Sequence, residues 1–407
     1  MMRVKPSCGI RHWIWLVGTI VVVALAVTVL PGTVLSLYHQ QCGERLLVRA
    51  LLVEGRTTAG RNGLLFLEPL AATAPRALAE SASTWFRAAH DVNPDNAQAY
   101  RWSGQTALLL DKPAEAVMAF STYIEMRPDN PFGWWELGLA YERLAQQLPD
   151  DTYVLVEPAR RAVVAWREGG FTAQDFINAG EEARRAKQPA EALAWYGRAA
   201  RMEPELGDPW YYMGLTYEGL EQWNEALEAY RTATGSQVRM LQIPRGSMYY
   251  RIGSILQWHT DPRPTDEIVK AYDLALADGR FVSTREEADV HYSRGVIHWW
   301  RRPATGPEQY MVEFETALQL NPQHAWAALL LGRAYFLDLN DLTQARSYTD
   351  RSIGLQPGNP WGYLYSGDIL LAEGQADQAR AQYQKALDLA PDFSEAQERL
   401  RGLDEEQ

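Results

Sequence analysis

At 407 residues the chain exceeds what one compact core supports, since single cores stop growing near about 250 to 300 residues, so a modular arrangement is expected. A formal net charge of −12 leaves no basic stripe to neutralise phosphates, which excludes nucleic acid as a partner.

From Trp13 to Gly43 there is no Asp, Glu, Lys or Arg, and residues 13–37 are almost wholly apolar. That run exceeds the roughly 20 residues a helix needs to cross a bilayer and the about 7 to 15 of a cleaved signal peptide, so it predicts an uncleaved transmembrane signal anchor over 13–37. Arg3, Lys5 and Arg11 precede it. The positive-inside rule then predicts a cytoplasmic N-terminus over 1–12 and an extracytoplasmic remainder, a single-pass membrane protein of a bacterial type of cell envelope. Residues 38–62 read as a juxtamembrane stalk and hinge. Cys8 and Cys42 would fall on opposite sides of the span and cannot pair, which leaves Cys42 as an inert thiol or an intermolecular bridge.

Beyond that segment one glycine recurs: Gly104, Gly138, Gly180, Gly214, Gly253, Gly295, Gly332 and Gly367, at spacings of 34, 42, 34, 39, 42, 37 and 35. Four residues before it and three after it stand rings or apolar side chains, as in Trp134, Gly138 and Tyr141, which share one helix face. A glycine inside a helix costs about 1 kcal/mol against alanine, so its recurrence predicts close approach of a second helix. That second helix has its own signature, as in Ala116, Phe120, Tyr123, Pro128 and Ala379, Tyr383, Ala386, Pro391. The proline stops it, and each unit is a helical hairpin.

These residues resemble the tetratricopeptide repeat, whose pattern runs Trp-x2-Leu-Gly-x2-Tyr, then Ala-x3-Phe and Pro. Trp134, Leu137, Gly138 and Tyr141 match its first half, and Trp210, Met213, Gly214 and Tyr217 nearly do. The resemblance implies an all-α superhelical solenoid over 63–392. About eight helical hairpins follow a partial first unit that keeps Ala82, Phe86, Ala89 and Pro94, and residues 393–407 form a C-terminal cap helix and tail behind the transmembrane helix. Insertions at 145–158, 259–265 and 301–307 are partner contacts or tolerated slack.

The resemblance also implies a concave face lined by first-helix residues six and three before the glycine and one, four and five after it. It assigns Phe132, Trp135, Tyr211, Tyr250, Trp258, Tyr292, Trp299, Trp300, Trp326, Phe336 and Trp361 to a binding groove, with Arg143, Arg184, Arg185 and Arg333 beside it for acidic groups. Of the two adjacent tryptophans, Trp134 is expected in the core and Trp135 in the groove. The residues after each glycine, such as Gln105, Leu139, Glu181 and Arg333, do not form the Lys and Asn clamp with which some repeats hold chaperone C-termini.

The expected function is a membrane-tethered, non-catalytic scaffold or adaptor for a protein or peptide partner, itself a membrane or envelope protein. The alternative is a glycan-binding scaffold of polysaccharide assembly or secretion. No cofactor, metal or catalytic residue is expected. The seven histidines form no His-Glu-x-x-His motif, and His291 and His298, which flank Gly295, read as core residues before they read as a metal pair.

Overall fold

The computed structural model describes residues 31–53, 73–147, 152–235, 238–240, 242–301 and 306–405. These form 19 α-helices and, apart from one isolated bridge between Leu206 and Arg239, no extended pairing. The chain divides into two compact units, residues 1–172 and 173–407.

The first unit holds three hairpins: α1 (Pro31–Val53) with α2 (Thr73–Val92), α3 (Ala97–Leu109) with α4 (Pro113–Met126), and α5 (Pro131–Gln147) with α6 (Thr152–Glu168). The second begins with α7 (Ala173–Arg185) on α8 (Pro189–Met202), α9 (Asp208–Gly219) on α10 (Trp223–Ala233) and α11 (Arg245–Trp258) on α12 (Thr265–Asp278). It continues with α13 (Thr284–Trp300) on α14 (Pro307–Leu320), α15 (Ala325–Leu337) on α16 (Leu342–Leu355) and α17 (Pro360–Ala372) on α18 (Ala376–Leu389), and ends with α19 (Ser394–Glu405) against α18.

Local chemistry sets the helix ends. Proline opens α4, α5, α8, α14 and α17, where a missing N–H costs nothing. Side chains cap others: Asn96 accepts from the Ala99 N–H at 3.2 Å and Asp341 from that of Gln344 at 3.0 Å.

The repeated glycine does what its spacing predicts. A Cβ on Gly253 would stand 2.5 Å from Cε1 of Tyr272, and one on Gly295 would stand 2.5 Å from Cε1 of Phe314, so a ring of the second helix lies against the backbone of the first in every unit but that of Gly332, where Thr349 takes its place. Those rings, Phe120, Trp166, Tyr196, Tyr230, Tyr272, Phe314 and Tyr383, are among the most buried side chains in the protein.

The expected single-pass membrane location is overturned. Among the described residues no helix is long and apolar enough to cross a membrane. Residues 13–30 of the expected span lie outside the described residues, as does the cytoplasmic segment 1–12. Residues 31–37 belong to α1, which runs on to Val53, inside the stretch read as a stalk, and packs on α2; residues 54–62 of that stretch lie outside the described residues. Ser36 donates to the Ala89 carbonyl at 2.6 Å, Leu47 and Ala50 are buried, and Gly43 lies under Phe86 as the later glycines lie under their rings. The partial first unit therefore has its first helix. Gln40 and Glu44, bonded to each other at 2.7 Å, make the part of this helix after residue 37 polar.

Of the insertions, residues 148–151 and 302–305 lie outside the described residues. A further insertion, between α10 and α11, folds back on the turn before α9. There Arg239 and Gly207 exchange backbone bonds with Glu205 and Arg239 (2.7 and 2.9 Å), and the buried Asp208 accepts from the N–H groups of Gln242 (2.8 Å) and Ile243 (3.1 Å).

Candidate functional site

In the first unit Trp135, expected in the groove, is the more deeply buried of the two tryptophans, and Trp134 packs at the edge of the core. Trp135 is buried, 1% exposed, and stacks on Trp166 at 5.8 Å and packs on Phe171 at 5.7 Å. Trp134 is only half-buried, and its indole reaches back to donate to the Pro128 carbonyl at 2.8 Å. The cause is the second-helix ring. Trp166 covers Gly138 and donates to the Trp135 carbonyl at 3.3 Å, so its large face needs a second ring against it, and the position three before the glycine supplies one. The position four before points toward the helix start, as Cβ vectors do, and reaches the preceding turn. Tyr363 repeats this, bonding the Pro357 carbonyl at 3.0 Å. Phe132 is exposed at the start of α5 and Arg143 is half-buried near its end.

In the second unit several expected groove residues are also spoken for. Tyr211 is buried against Tyr212 and Tyr230, and burial raises its hydroxyl to about 12. Trp299 packs on Tyr310 and Phe314, Trp361 on Tyr365 and Phe393, and Phe336 is half-buried. Three of the arginines expected to await acidic groups lie near acids of this chain. Arg184 and Arg185 both hold Glu181, at 2.8 and 3.8 Å, while Arg333 lies 4.1 Å over the Tyr365 ring and 4.0 Å from Asp368. Arg184 is thus held within its own helix and Arg333 lies on a ring, whereas Arg185 is largely exposed.

Tyr250, Trp258, Tyr292 and Trp326 do come together, in one cleft of about 420 Å³. Helix periodicity explains it: Tyr250, Ser254 and Trp258 stand four apart on one face of α11, and Arg285, Asp289 and Ser293 four apart on α13. The start of α15 supplies His324 and Trp326, and the turns before α15 and after α16 add Asn321, Gln323 and Gln356. Trp258 and Trp326 are 44% and 37% exposed, which places large rings at the cleft where solvent reaches them. Trp300 extends this surface: it meets Trp258 edge-on at 5.9 Å, and the Arg263 guanidinium sits 5.1 Å from its ring.

The polar groups of the cleft are positioned by one another. Asp289 accepts from the Tyr250 hydroxyl at 3.2 Å and lies 3.2 Å from Nε2 of His324. Nδ1 of His324 accepts the Ala327 N–H at 3.1 Å, capping α15, and the ring packs on Tyr292 at 4.7 Å. Asp289 and Ser254 were not among the expected groove residues although both occupy groove register positions, six before Gly295 and one after Gly253, because only rings and arginines were expected to bind there. A second hollow, of about 440 Å³ in the first unit, is walled by amides such as Asn93, Asn96 and Asn130 with Arg127 and Tyr123.

His291 is committed elsewhere, its Nδ1 2.7 Å from Glu313. Among the described residues no cluster of three or more His, Cys, Asp or Glu is arranged to hold a metal ion.

Models of the tetratricopeptide repeat match residues 76–131, 313–360 and 363–393, so the chain carries such repeats near both ends of the described array. No enzyme family is indicated by these matches. No curated protein matches the sequence. Among solved structures the chain is similar to Pseudomonas aeruginosa PilF (18% identity, 56% of this chain, 95% of that one, TM-score 0.46). It is also similar to PilW, described as a widely conserved type IV pilus biogenesis factor (18% identity, 56% of this chain, 98% of that one, TM-score 0.43). The tetratricopeptide domain of P58(IPK) aligns over 91% of this chain and 97% of its own at 12% identity and a TM-score of 0.33. At these levels the likeness is one of stacked helical hairpins alone.

Proposed function

We propose that the chain is a non-catalytic scaffold that binds an extended segment of a protein partner in the cleft between α11, α13 and α15. The observation that carries this reading is the pair of partly exposed tryptophans, Trp258 and Trp326, at a concave site that also holds Tyr250 and Tyr292. Large rings with one solvent-facing side are the residues that most often anchor a partner, because they bury much area for little lost rotamer freedom. The repeat pattern adds support, since helical repeats present such concave faces to peptides. The membrane tether and the envelope location are not part of this reading.

The amides Asn321, Gln323 and Gln356 beside those rings are also chemistry that a sugar would use, which keeps a glycan as the second reading. The test is a display library of short random peptides, screened against wild type and against Trp258→Ala combined with Trp326→Ala, with circular dichroism matched between the two. Peptides enriched on wild type should be lost from the variant. Equal enrichment on both would overturn the assignment of the cleft, and binding of a neutral oligosaccharide at the same rings, with no peptide enriched, would replace the peptide by a glycan.

A further inference from the structure

The carboxylates that stand among the hairpins of the second unit are matched, in most cases, by an arginine of the same chain. Arg251 lies 3.3 Å from both Glu218 and Glu286, Arg294 lies 3.3 Å from Glu313, and Arg399 lies 2.8 Å from Asp368. The pairing has a physical reason, because a carboxylate taken out of water costs several kcal/mol unless a cation or several donors compensate it.

Asp289 departs from this pattern. Its side chain is 28% exposed, it lines the cleft, and among the described residues no Lys or Arg lies within ion-pair distance of it. Its two partners are neutral. One is the Tyr250 hydroxyl, at 3.2 Å. The other is His324, whose Nδ1 accepts the Ala327 N–H and so carries no proton, which leaves the single ring proton on Nε2 facing Asp289 at 3.2 Å. Two neutral donors occupy part of the carboxylate's acceptor capacity and leave its charge standing. Arg285, one turn earlier on α13, lines the same cleft but is exposed, so the high dielectric of water weakens its field at Asp289.

The walls around that charge are rings. Burial, and after it the Asp289 charge, push the hydroxyls of Tyr250 and Tyr292 above the ordinary tyrosine range, so both rings stay neutral and keep the negative π-face that attracts cations. Trp258 and Trp326 line the same cleft, and tryptophan is the strongest of the aromatic side chains in that role.

We propose that this cleft takes a basic side chain, lysine or arginine, of the partner segment, with Asp289 forming the ion pair and the rings of Tyr292 and Trp326 lying against its stem and head. The proposal rests on the peptide-binding reading of the same cleft and names the chemistry of its occupant. An ion pair in a partly desolvated, ring-walled cleft is stronger than one on an open surface, and it gives selectivity as well as affinity. The overall charge of −12 adds a long-range attraction for a basic segment.

The test uses the full chain and two pools of short peptides, identical except that one position carries arginine in the first pool and citrulline, its neutral isostere, in the second. Binding is read from tryptophan fluorescence for wild type and Asp289→Asn, a substitution that keeps one acceptor oxygen, for His324, while the Tyr250 hydroxyl can rotate to accept from the new amide. The arginine pool should bind wild type at least about tenfold more tightly than the citrulline pool, the difference should shrink with added salt, and it should vanish in Asp289→Asn. The comparison on wild type alone decides the matter should the variant melt early. Equal binding of the two pools, lost in the Trp258→Ala and Trp326→Ala double variant, would overturn the cation reading and leave the peptide cleft standing. No binding of either pool would overturn both. Preference for a glutamate pool, or a neutral oligosaccharide that outcompetes the arginine pool, would also overturn it.

Discussion

Trp134 and Trp135 are identical in chemistry and adjacent in sequence, yet Trp135 is fully buried and Trp134 only partly so, at the edge of the core. Trp135→Ala removes a ring stacked on Trp166 and is expected to cost about 3 to 5 kcal/mol, the range for large aromatic truncations in a core. Trp134→Ala forfeits one hydrogen bond to Pro128 and partial burial, so about 1 to 2 kcal/mol is expected. Urea unfolding followed by circular dichroism orders them, and a larger loss at Trp134 would show that the core assignment is reversed. The register counted from the glycine was legible in the sequence; which rings it buries was not. That depends on the size of the ring across the hairpin, and Trp166 stands where most units have Phe or Tyr. Tyr211 was misplaced for a related reason, being taken up by Tyr230. Four rings of the cleft were legible because they stand at regular intervals on successive first helices. Asp289 could have been found by the same count, since it occupies the position that Trp326 holds before Gly332 and Trp361 before Gly367. His324 could not, because its part depends on a capping hydrogen bond that no spacing reports.

The helical hairpin is the element that repeats, and its turn stores a local cost that no repeat motif discloses. Seven residues after the repeat glycine, Asp111, Lys187, Glu221 and Gly374 adopt positive φ, at 59°, 60°, 58° and 78°. The next N–H then bonds back to the carbonyl five residues before it, as Gln222 does to Tyr217 at 2.9 Å, which closes the first helix with a Schellman turn. Glycine enters that conformation freely, whereas a residue with a Cβ gives up about 1 kcal/mol. Glu221→Gly is therefore expected to raise stability by about 0.5 to 1 kcal/mol, and Gly374→Ala to lower it by about 1 kcal/mol. Thermal melts of the two variants check both signs, and a loss in Glu221→Gly would mean that its side chain contributes more than the strain it causes. The hairpins themselves were legible, because glycine, ring and proline recur at fixed offsets. The first hairpin escaped because an uncharged run before Gly43 has the composition of a bilayer span, and only packing against Phe86 and Ala89 identifies α1 as the partner of α2.

At the scale of the whole molecule, the chain divides into two compact units at residue 172, each built of helical hairpins. In a repeat array each hairpin is stabilised by its own interior and by its neighbours, so the stability of a fragment depends on where it is cut. Every residue of the aromatic cleft lies between 250 and 356, inside the unit that starts at Ala173. A fragment of residues 173–407 should therefore be helical, melt cooperatively and keep the cleft's binding behaviour. The first unit tests the role of α1. Leu47 and Ala50 of α1 are buried with Ala82 and Phe86 of α2, so a fragment beginning at residue 63 would turn that apolar face to water. Residues 31–172 should fold with a sharp melt and little binding of a hydrophobic dye, and residues 63–172 should melt at lower temperature, bind the dye and associate. Equal melting of the two would mean that α2 holds its place on α3 alone, and that the hairpin formed by α1 adds nothing to the stability of the array.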